Sequence, residues 1–184
     1  MFDALENRRA KKWTRKEFLG RLLWGMVHPL FAFSPRPLWG WRRFMLRTFG
    51  AKISPHVRVN PSVIITIPWN LTIGPYTAIG NRAILYALGP ITIGASSTIS
   101  QYAHICAGSH NFRDRKMTLT KPPIVIGSDV WICADAFIGP NVEIGDSALV
   151  GARAVITRNV DSNIIMVGNP GKSVGPRYND VTKA

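Results

Sequence analysis

Aliphatic residues recur at every sixth position along most of the chain. Eleven positions carry the pattern: Ile73, Ile79, Ile93, Ile99, Ile105, Ile126, Ile132, Ile138, Ile144, Val150 and Ile156. The residue four places after each is always Ser, Thr, Ala or Val, and seven of the eleven are followed directly by Gly. A degraded version runs back through Ile53, Val59 and Ile65. Such self-similarity at a fixed short period is typical of a solenoid.

A period of six fits neither an α-helical stripe nor an array of hairpins, because the turn signal returns too soon. A coil of short strands fits, since three units of one strand and one turn close a triangle. Stacked coils then join by parallel backbone ladders about 4.8 Å apart. Aliphatic residues point inward, small residues fill the corners, and glycine serves turns that need positive φ or close backbone approach. The pattern predicts an all-β fold, a parallel β-helix over 51–170, with an end that must be covered.

The stretch 18–33 is apolar but does not fit a membrane span. It contains Arg21, His28 and Pro29, and it is shorter than the roughly 20 apolar residues that a span requires. No small-x-small cleavage site follows it, so a signal peptide is not indicated either.

Two amphipathic helices, over 14–27 and 37–49, are the better interpretation of this segment. Thr14 and Glu17 have the spacing of a capping box, and Gly50 closes the second helix. The chain therefore divides into an N-terminal helical segment (1–50), the β-helix (51–170) and a C-terminal tail (171–184).

Charge is concentrated in the N-terminal segment. The whole chain holds 23 Lys and Arg against 10 Asp and Glu, a net charge of +13. Residues 1–50 alone hold 11 Lys and Arg, and four of the six Trp. Two interpretations stay open: a cap over the end of the core, or a cap that also makes peripheral contact with an anionic membrane. Base-reading positions interleaved with aromatic residues are absent, which argues against nucleic acid.

Several motifs resemble the hexapeptide-repeat acyltransferases, specifically the branch that acetylates bacterial exopolysaccharides such as colanic acid. They are GSHN at 108–111, PPIVIGSDVWI at 122–132, IGPNVEIGDSALVGARAVITRNV at 138–160, GNPGK at 168–172 and the N-terminal stretch 30–53. The resemblance covers nearly the whole chain. It implies a left-handed coil, an acetyl-CoA co-substrate, and a homotrimer with active sites between the β-helices of neighbouring chains.

The repeat breaks once, over 111–125, and His110 lies at the root of this break. The inserted segment is polar, basic and closed by two prolines, so it is expected to protrude as a loop. On position alone, His110 fits a surface histidine or a general base equally well. The resemblance implies the general base. Asp114 is expected either to orient this imidazole or to lie in solvent.

The reaction that the resemblance implies is direct transfer of acetyl to a sugar hydroxyl, without a metal or an enzyme nucleophile. A backbone N–H near Cys133 or Ala134 would stabilise the oxyanion. Tyr102, Asn111, Asp114 and Trp131 form the expected acceptor side. Coenzyme A is expected along the later coils, at Gly151, Ala152, Arg153, Thr157, Arg158 and Lys172. Backbone groups of this groove would bond the pantetheine amides. Arg158 and Lys172 either meet phosphates or serve as ordinary solubilising charge.

Other residues carry less weight. His104 and His56 lack a third converging ligand, so a zinc site is not predicted. Cys106 and Cys133 follow inward isoleucines, and packing explains them; the absence of a disulfide framework indicates a reducing, cytoplasmic compartment. Tyr102 stands where the maltose and galactoside branch has an acceptor-binding Asn, so that branch's acceptors are in doubt.

Two functions follow. The first is an acetyl-CoA-dependent O-acetyltransferase acting on a polysaccharide or lipopolysaccharide precursor. The second is a non-catalytic trimeric β-helix scaffold with a basic, membrane-binding surface. His110 at the root of the loop favours the first.

Overall fold

Three faces of short strands make a triangular column. In a computed structural model, which describes residues 4–179, the column contains five coils of three strands each. The coils are, in chain order, β1 (Lys52–Ile53), β2 (Arg58–Val59), β3 (Ile64–Ile65); β4 (Leu71–Ile73), β5 (Ala78–Ile79), β6 (Ile84–Tyr86); β7 (Ile91–Ile93), β8 (Thr98–Ile99), β9 (His104–Cys106); β12 (Ile124–Ile126), β13 (Trp131–Ile132), β14 (Phe137–Ile138); β15 (Glu143–Ile144), β16 (Leu149–Val150), β17 (Val155–Ile156).

The first, second and third strands of the coils form parallel sheets A, B and C. A small hairpin, β10 (Ser109–His110) and β11 (Leu119–Thr120), projects between the third and fourth coils. A partial sixth turn adds β18 (Ile164–Val167) to sheet B, and β19 (Lys172–Pro176) pairs antiparallel with it. The predicted β-helix is confirmed.

The aliphatic series forms the core, as its period predicts. Inward residues such as Ile79, Ile105 and Ile138 have no exposed surface. The predicted corner residues are buried except Ser109, and two of them, Ser109 and Val160, lie outside the regular corners. Ser109 already lies in the projecting hairpin, and Val160 bridges Ile144 as an extra rung of sheet A.

At the turns of the column, the residues with positive φ are not glycines. The residue three places after the inward aliphatic has φ between 54° and 61° at eleven turns: His56, Tyr76, Arg82, Ser96, Tyr102, Asp129, Asp135, Asn141, Ser147, Arg153 and Asn163. The repeat glycines serve the other predicted purpose, close approach. A Cβ on Gly74 would lie 2.7 Å from the backbone of Gly94 and Ala95 in the next coil.

The corner between sheets C and A is the loosest. Consecutive strands of sheet A lie 20 residues apart at Ile53, Ile73 and Ile93, but 18 apart at Ile126 and Ile144. The two additional residues in each of the first two coils are accommodated at this corner, by a 3₁₀ turn at Pro68–Asn70 and by residues 87–90. The series therefore continues through Leu85, which the eleven positions omit, before this corner delays the next repeat.

Three helices precede the column: α1 (Ala4–Arg9), α2 (Arg15–Ala32) and α3 (Trp39–Thr48). The capping box of Thr14 and Glu17 is confirmed by both of its hydrogen bonds. The predicted end of the first helix at Val27 is wrong, because α2 continues through Pro29 to Ala32. Burial of Phe31 against the core offsets the bond that proline removes. No helix within residues 4–179 combines the length and apolarity needed to cross a bilayer.

Arg42 fastens α3 to the column. Its side chain is fully buried and has backbone partners in place of a carboxylate: Nε donates to Val59 O at 2.6 Å, and the two Nη atoms donate to Pro35 O and Arg36 O. Ser34 Oγ accepts a further bond at 2.8 Å. Burial lowers the pKa of this guanidinium. α3 packs on β1 and β2 and covers the first end of the column, while the C-terminal strand β19 pairs along the last strand of sheet B at the other end. The exposed strand edges that a solenoid leaves at its ends are therefore partly covered.

We expect Gly74→Ala to lower the free energy of unfolding by about 1–3 kcal/mol, because the new methyl group would push adjacent coils apart. Chemical denaturation measures the change. Gly25→Ala is the matched control: Gly25 lies in α2, where an added methyl group would meet no atom within 4 Å, and the substitution should stabilise the chain by about 0.5–1 kcal/mol. Equal effects of the two substitutions would contradict the close-approach explanation.

Candidate active site

The projecting loop begins and ends two residues earlier than the sequence predicts. The expected bounds were 111–125, but Ser109 and His110 pair with Thr120 and Leu119, and β12 begins at Ile124. Backbone hydrogen bonds between the two strands of the hairpin hold both sides of the loop together where it leaves the column.

His110 is exposed, and one edge of its ring is held. Nδ1 lies 2.6 Å from the carbonyl oxygen of Met117, across the loop. A carbonyl oxygen only accepts hydrogen bonds, so Nδ1 carries the proton in this contact. The neutral ring therefore has its lone pair on Nε2. This arrangement suits acceptance of a proton from a group outside the loop.

The same carbonyl oxygen receives a second bond, from the N-terminal segment. Asn7 Nδ2 on α1 lies 3.0 Å from Met117 O and 2.5 Å from Lys116 O. Glu6 forms an ion pair with Lys116 at 2.5 Å. Sequence reasoning missed this brace, since nothing in the pattern around Asn7 indicates a partner 110 residues away.

The far side of the loop is tied to the start of α2. Lys121 Nζ lies 4.0 Å from the ring centre of Trp13 and 3.3 Å from Glu17 Oε1. The pKa of Glu17 is lowered, first by the backbone N–H of Thr14 and also by Lys121. The ring of Trp13 also carries Arg21 at 4.0 Å. Both sides of the loop therefore rest on residues 4–21.

Asn111 and Asp114 form bonds within the loop. Asn111 Oδ1 accepts from Arg113 N, and Asp114 accepts from Thr118 Oγ1 at 2.5 Å and Lys116 N at 3.0 Å. These bonds lower the pKa of Asp114, with Thr118 the largest cause. No bond joins Asp114 to His110 among the described contacts, so the carboxylate shapes the loop turn instead of orienting the imidazole.

Several predicted residues share the corner between sheets B and C, here called the B–C corner. Tyr102, Asp135 and Arg153 occupy equivalent positions in successive coils. Arg153 Nε lies 3.5 Å from Asp135 Oδ2 at this exposed edge. The corner therefore carries a charged and aromatic ridge along coils three to five.

The backbone amides at this corner differ in availability. Cys133 N donates to Val150 O at 2.8 Å, and Gly151 N donates to Met166 O at 2.8 Å. Of the two residues named for the oxyanion, Cys133 therefore has its N–H engaged by the ladder. The amides of Ala134 and Ala152 have no acceptor within residues 4–179, which leaves two N–H groups free in adjacent coils.

The remaining predicted residues lie on other parts of the column. Trp131 is 44% exposed on the outer face of sheet B, where its Nε1 donates to Ser100 Oγ at 2.9 Å. Thr157 and Arg158 are exposed just after β17, and Lys172 is exposed on β19. His110 leaves from the C–A corner, so a single chain brings neither Trp131 nor the B–C corner to its imidazole.

The histidines and cysteines given less weight have packing contacts. His56 stacks on Tyr76 with ring centres 5.1 Å apart, and His104 lies edge-on to Phe137 at 5.3 Å. Burial lowers the pKa of His104 and raises the thiol pKa of both Cys106 and Cys133, which makes the thiols poor nucleophiles. Within residues 4–179, no three His, Cys, Asp or Glu side chains converge on one point.

Comparison with known proteins decides the family. The bacterial transferase hexapeptide model (six repeats) matches residues 123–158. The Escherichia coli protein named as the colanic acid biosynthesis acetyltransferase WcaF is 45% identical over 157 residues, which cover 85% of this chain and 86% of the relative. The chain belongs to the hexapeptide-repeat acetyltransferases.

Solved hexapeptide-repeat acetyltransferases share the fold. Galactoside acetyltransferase in complex with coenzyme A has a TM-score of 0.83 at 22% identity, covering 91% of this chain and 86% of that one. A Vibrio cholerae hexapeptide-repeat acetyltransferase complexed with acetyl coenzyme A has a TM-score of 0.82 at 23% identity, covering 92% and 93%. The left-handed sense of the coil, implied by the resemblance, is thereby confirmed. The protein is an enzyme of the acetyltransferase class.

Proposed function

We propose that this acetyltransferase moves acetyl from acetyl-CoA to a sugar hydroxyl of an exopolysaccharide or lipopolysaccharide precursor, with His110 as general base. The observation that carries the proposal is the contact of His110 Nδ1 with Met117 O, which leaves Nε2 as the free proton acceptor on an exposed ring. The relative named for colanic acid biosynthesis supports the acceptor class.

The chemistry needs one base and one oxyanion site. Nε2 of His110 takes the hydroxyl proton as the sugar oxygen attacks the thioester carbonyl carbon. The tetrahedral intermediate then expels the CoA thiolate, which receives that proton and leaves as free CoA. The free amide of Ala134 is the proposed donor to the oxyanion, since the neighbouring amide of Cys133 is already bonded.

The B–C corner and the column end are the proposed donor groove. The free amide of Ala152 is available to a pantetheine carbonyl, and Arg153 stands beside it. Thr157, Arg158 and Lys172 are exposed and supply hydroxyl and positive charge for phosphates. Tyr102, Asn111, Asp114 and Trp131 are proposed for the acceptor side.

A homotrimer would assemble the site. His110 and the B–C corner lie on different parts of one column, so a neighbouring chain is needed to bring them together. The outer surface of sheet C is suited to protein contact, because Ile84, His104, Phe137 and Val155 form a half-buried, largely apolar row along it. His104 Nε2 has no hydrogen-bond partner in this row.

The proposed location is the cytoplasm, at the inner face of the membrane where lipid-linked sugars are built. Two free cysteines and no disulfide fit a reducing compartment. The N-terminal segment 1–50 would make the peripheral contact.

We expect His110→Ala to lower kcat by about 10²- to 10⁴-fold while KM for acetyl-CoA changes little, because the base acts on the acceptor hydroxyl. Thiol release from acetyl-CoA with a panel of sugars measures the rates. His56→Ala is the matched control and should retain its rate, since that ring stacks on Tyr76 at another corner. An unchanged rate in His110→Ala would remove the assignment.

We expect Ala134→Pro to lower kcat by about 10²- to 10³-fold with little loss of stability. Proline removes the N–H and adds a ring that this turn position accommodates, because the same position is already proline at Pro55, Pro75 and Pro140. Asn81→Pro at the same corner is the control and should leave kcat unchanged. A similar fall in both variants would indicate a structural effect instead of oxyanion stabilisation.

Mixed oligomers of His110→Ala and Ala134→Pro chains should regain activity that neither variant has alone. If each site takes its base from one chain and its oxyanion donor from the next, every trimer that contains both variants has one complete site of its three, about a third of the sites. Co-expression with two tags and tandem purification gives the sample. No recovery in verified mixed trimers would place both groups in one chain.

A further inference from the structure

One side of α2 and α3 is apolar and open to solvent. Ten large apolar side chains there are between 40% and 88% exposed: Phe18, Leu19, Leu22, Leu23, Met26, Leu30, Phe33, Leu38, Trp41 and Phe44. These residues are called the α2–α3 apolar face below. Trp41 Nε1 donates to Leu30 O at 3.1 Å, so the two helices present one continuous surface.

This face is separate from the side of α2 that packs on the column. At 100° per residue the exposed side chains of α2 fall within an arc of about 140°, and Trp24 and Phe31 point away from that arc. Trp24 Nε1 bonds Ile65 O at 2.9 Å, which fixes the helix rotation. A helix of a soluble domain buries one apolar stripe; α2 has a second one uncovered.

The surroundings of the face are cationic. Seven exposed cations lie in this segment: five precede or begin α2, one precedes α3 and one lies in the last turn of α3. They are Arg8, Arg9, Lys11, Arg15, Lys16, Arg36 and Arg47. The acidic side chains described in this segment, Glu6 and Glu17, are both ion-paired with lysines of the loop. An apolar face within a segment rich in exposed cations matches an anionic lipid surface, where apolar side chains enter the interface and cations meet phosphates.

We propose that the α2–α3 apolar face docks on an anionic bilayer, with α2 lying in the plane of the interface. A second copy of the chain is the less suitable occupant, because its own cations would face these. The bilayer supplies the opposite charge. Asn7 on α1 and the pair Trp13 and Glu17 at the start of α2 tie the His110 loop to the N-terminal segment, so docking holds this loop close to the lipid headgroups.

Vesicle sedimentation of the full chain tests the docking. We expect at least tenfold stronger partitioning onto phosphatidylglycerol–phosphatidylcholine vesicles than onto phosphatidylcholine alone, weakening as salt rises. The double variant Met26→Glu, Leu30→Glu should partition at least tenfold less. Val174→Glu is the matched control: Val174 is 62% exposed on β19, far along the chain from the face, and its variant should bind within twofold of the wild type.

A second variant separates charge from apolar insertion. Arg15→Gln with Lys16→Gln should weaken binding to anionic vesicles while binding to neutral vesicles stays unchanged. Thermal melts confirm that every variant is folded. Equal binding by the wild type and the Met26, Leu30 double variant would overturn the proposal. So would a change of oligomer mass in the double variant without vesicle binding by the wild type, because the face would then be covered by another copy.

Docking and acetyl transfer fail separately in this design. The docking proposal rests on the peripheral membrane contact proposed above. Its test, vesicle binding, needs neither acetyl-CoA nor His110. Wild-type protein that acetylates a soluble sugar and ignores vesicles would refute docking alone. Protein that binds vesicles with no activity on any acceptor would refute the proposed reaction alone.

Discussion

The parallel register between coils is the constraint on which the molecule depends. Each strand is only two to five residues long, so it is held by its neighbours above and below instead of by its own length. A slip of one residue would turn every inward isoleucine to solvent. The same tight stacking excludes a Cβ at Gly74, so polar and charged side chains are left to the outer positions and the corners. Functional groups therefore lie on edges of an otherwise uniform column.

The sequence predicts the column well because each coil repeats the same local information. The inward positions, the small corner residues and the capping box of Thr14 all follow from short-range patterns. The end of α2 does not, since packing of Phe31 outweighs the penalty of Pro29. Arg42 resembles a surface cation in the sequence, but backbone carbonyls surround it in the fold. Such environments are properties of tertiary structure alone.

The candidate site likewise has some features that the sequence predicts and others that only the fold shows. His110 is identifiable because it adjoins the one large break in the period. The brace from Asn7 is not, since it joins α1 to a loop in the second half of the chain. The ladder also decides which amides are available: Cys133 and Ala134 are neighbours in sequence, yet only the N–H of Ala134 is free. The resemblance implies this turn as a whole, and the ladder leaves the N–H of Ala134 as the proposed donor within it.

The uneven spacing at the C–A corner has a consequence for how this enzyme diversifies. The first two coils carry a 3₁₀ turn and a short detour there, and the third carries the whole His110 loop, while the later coils close tightly. Lengthening the chain at that edge leaves the inward isoleucines undisturbed. Insertions and deletions at this one vertex can thus reshape the surface around His110, while the stability of the column is insulated from each such change.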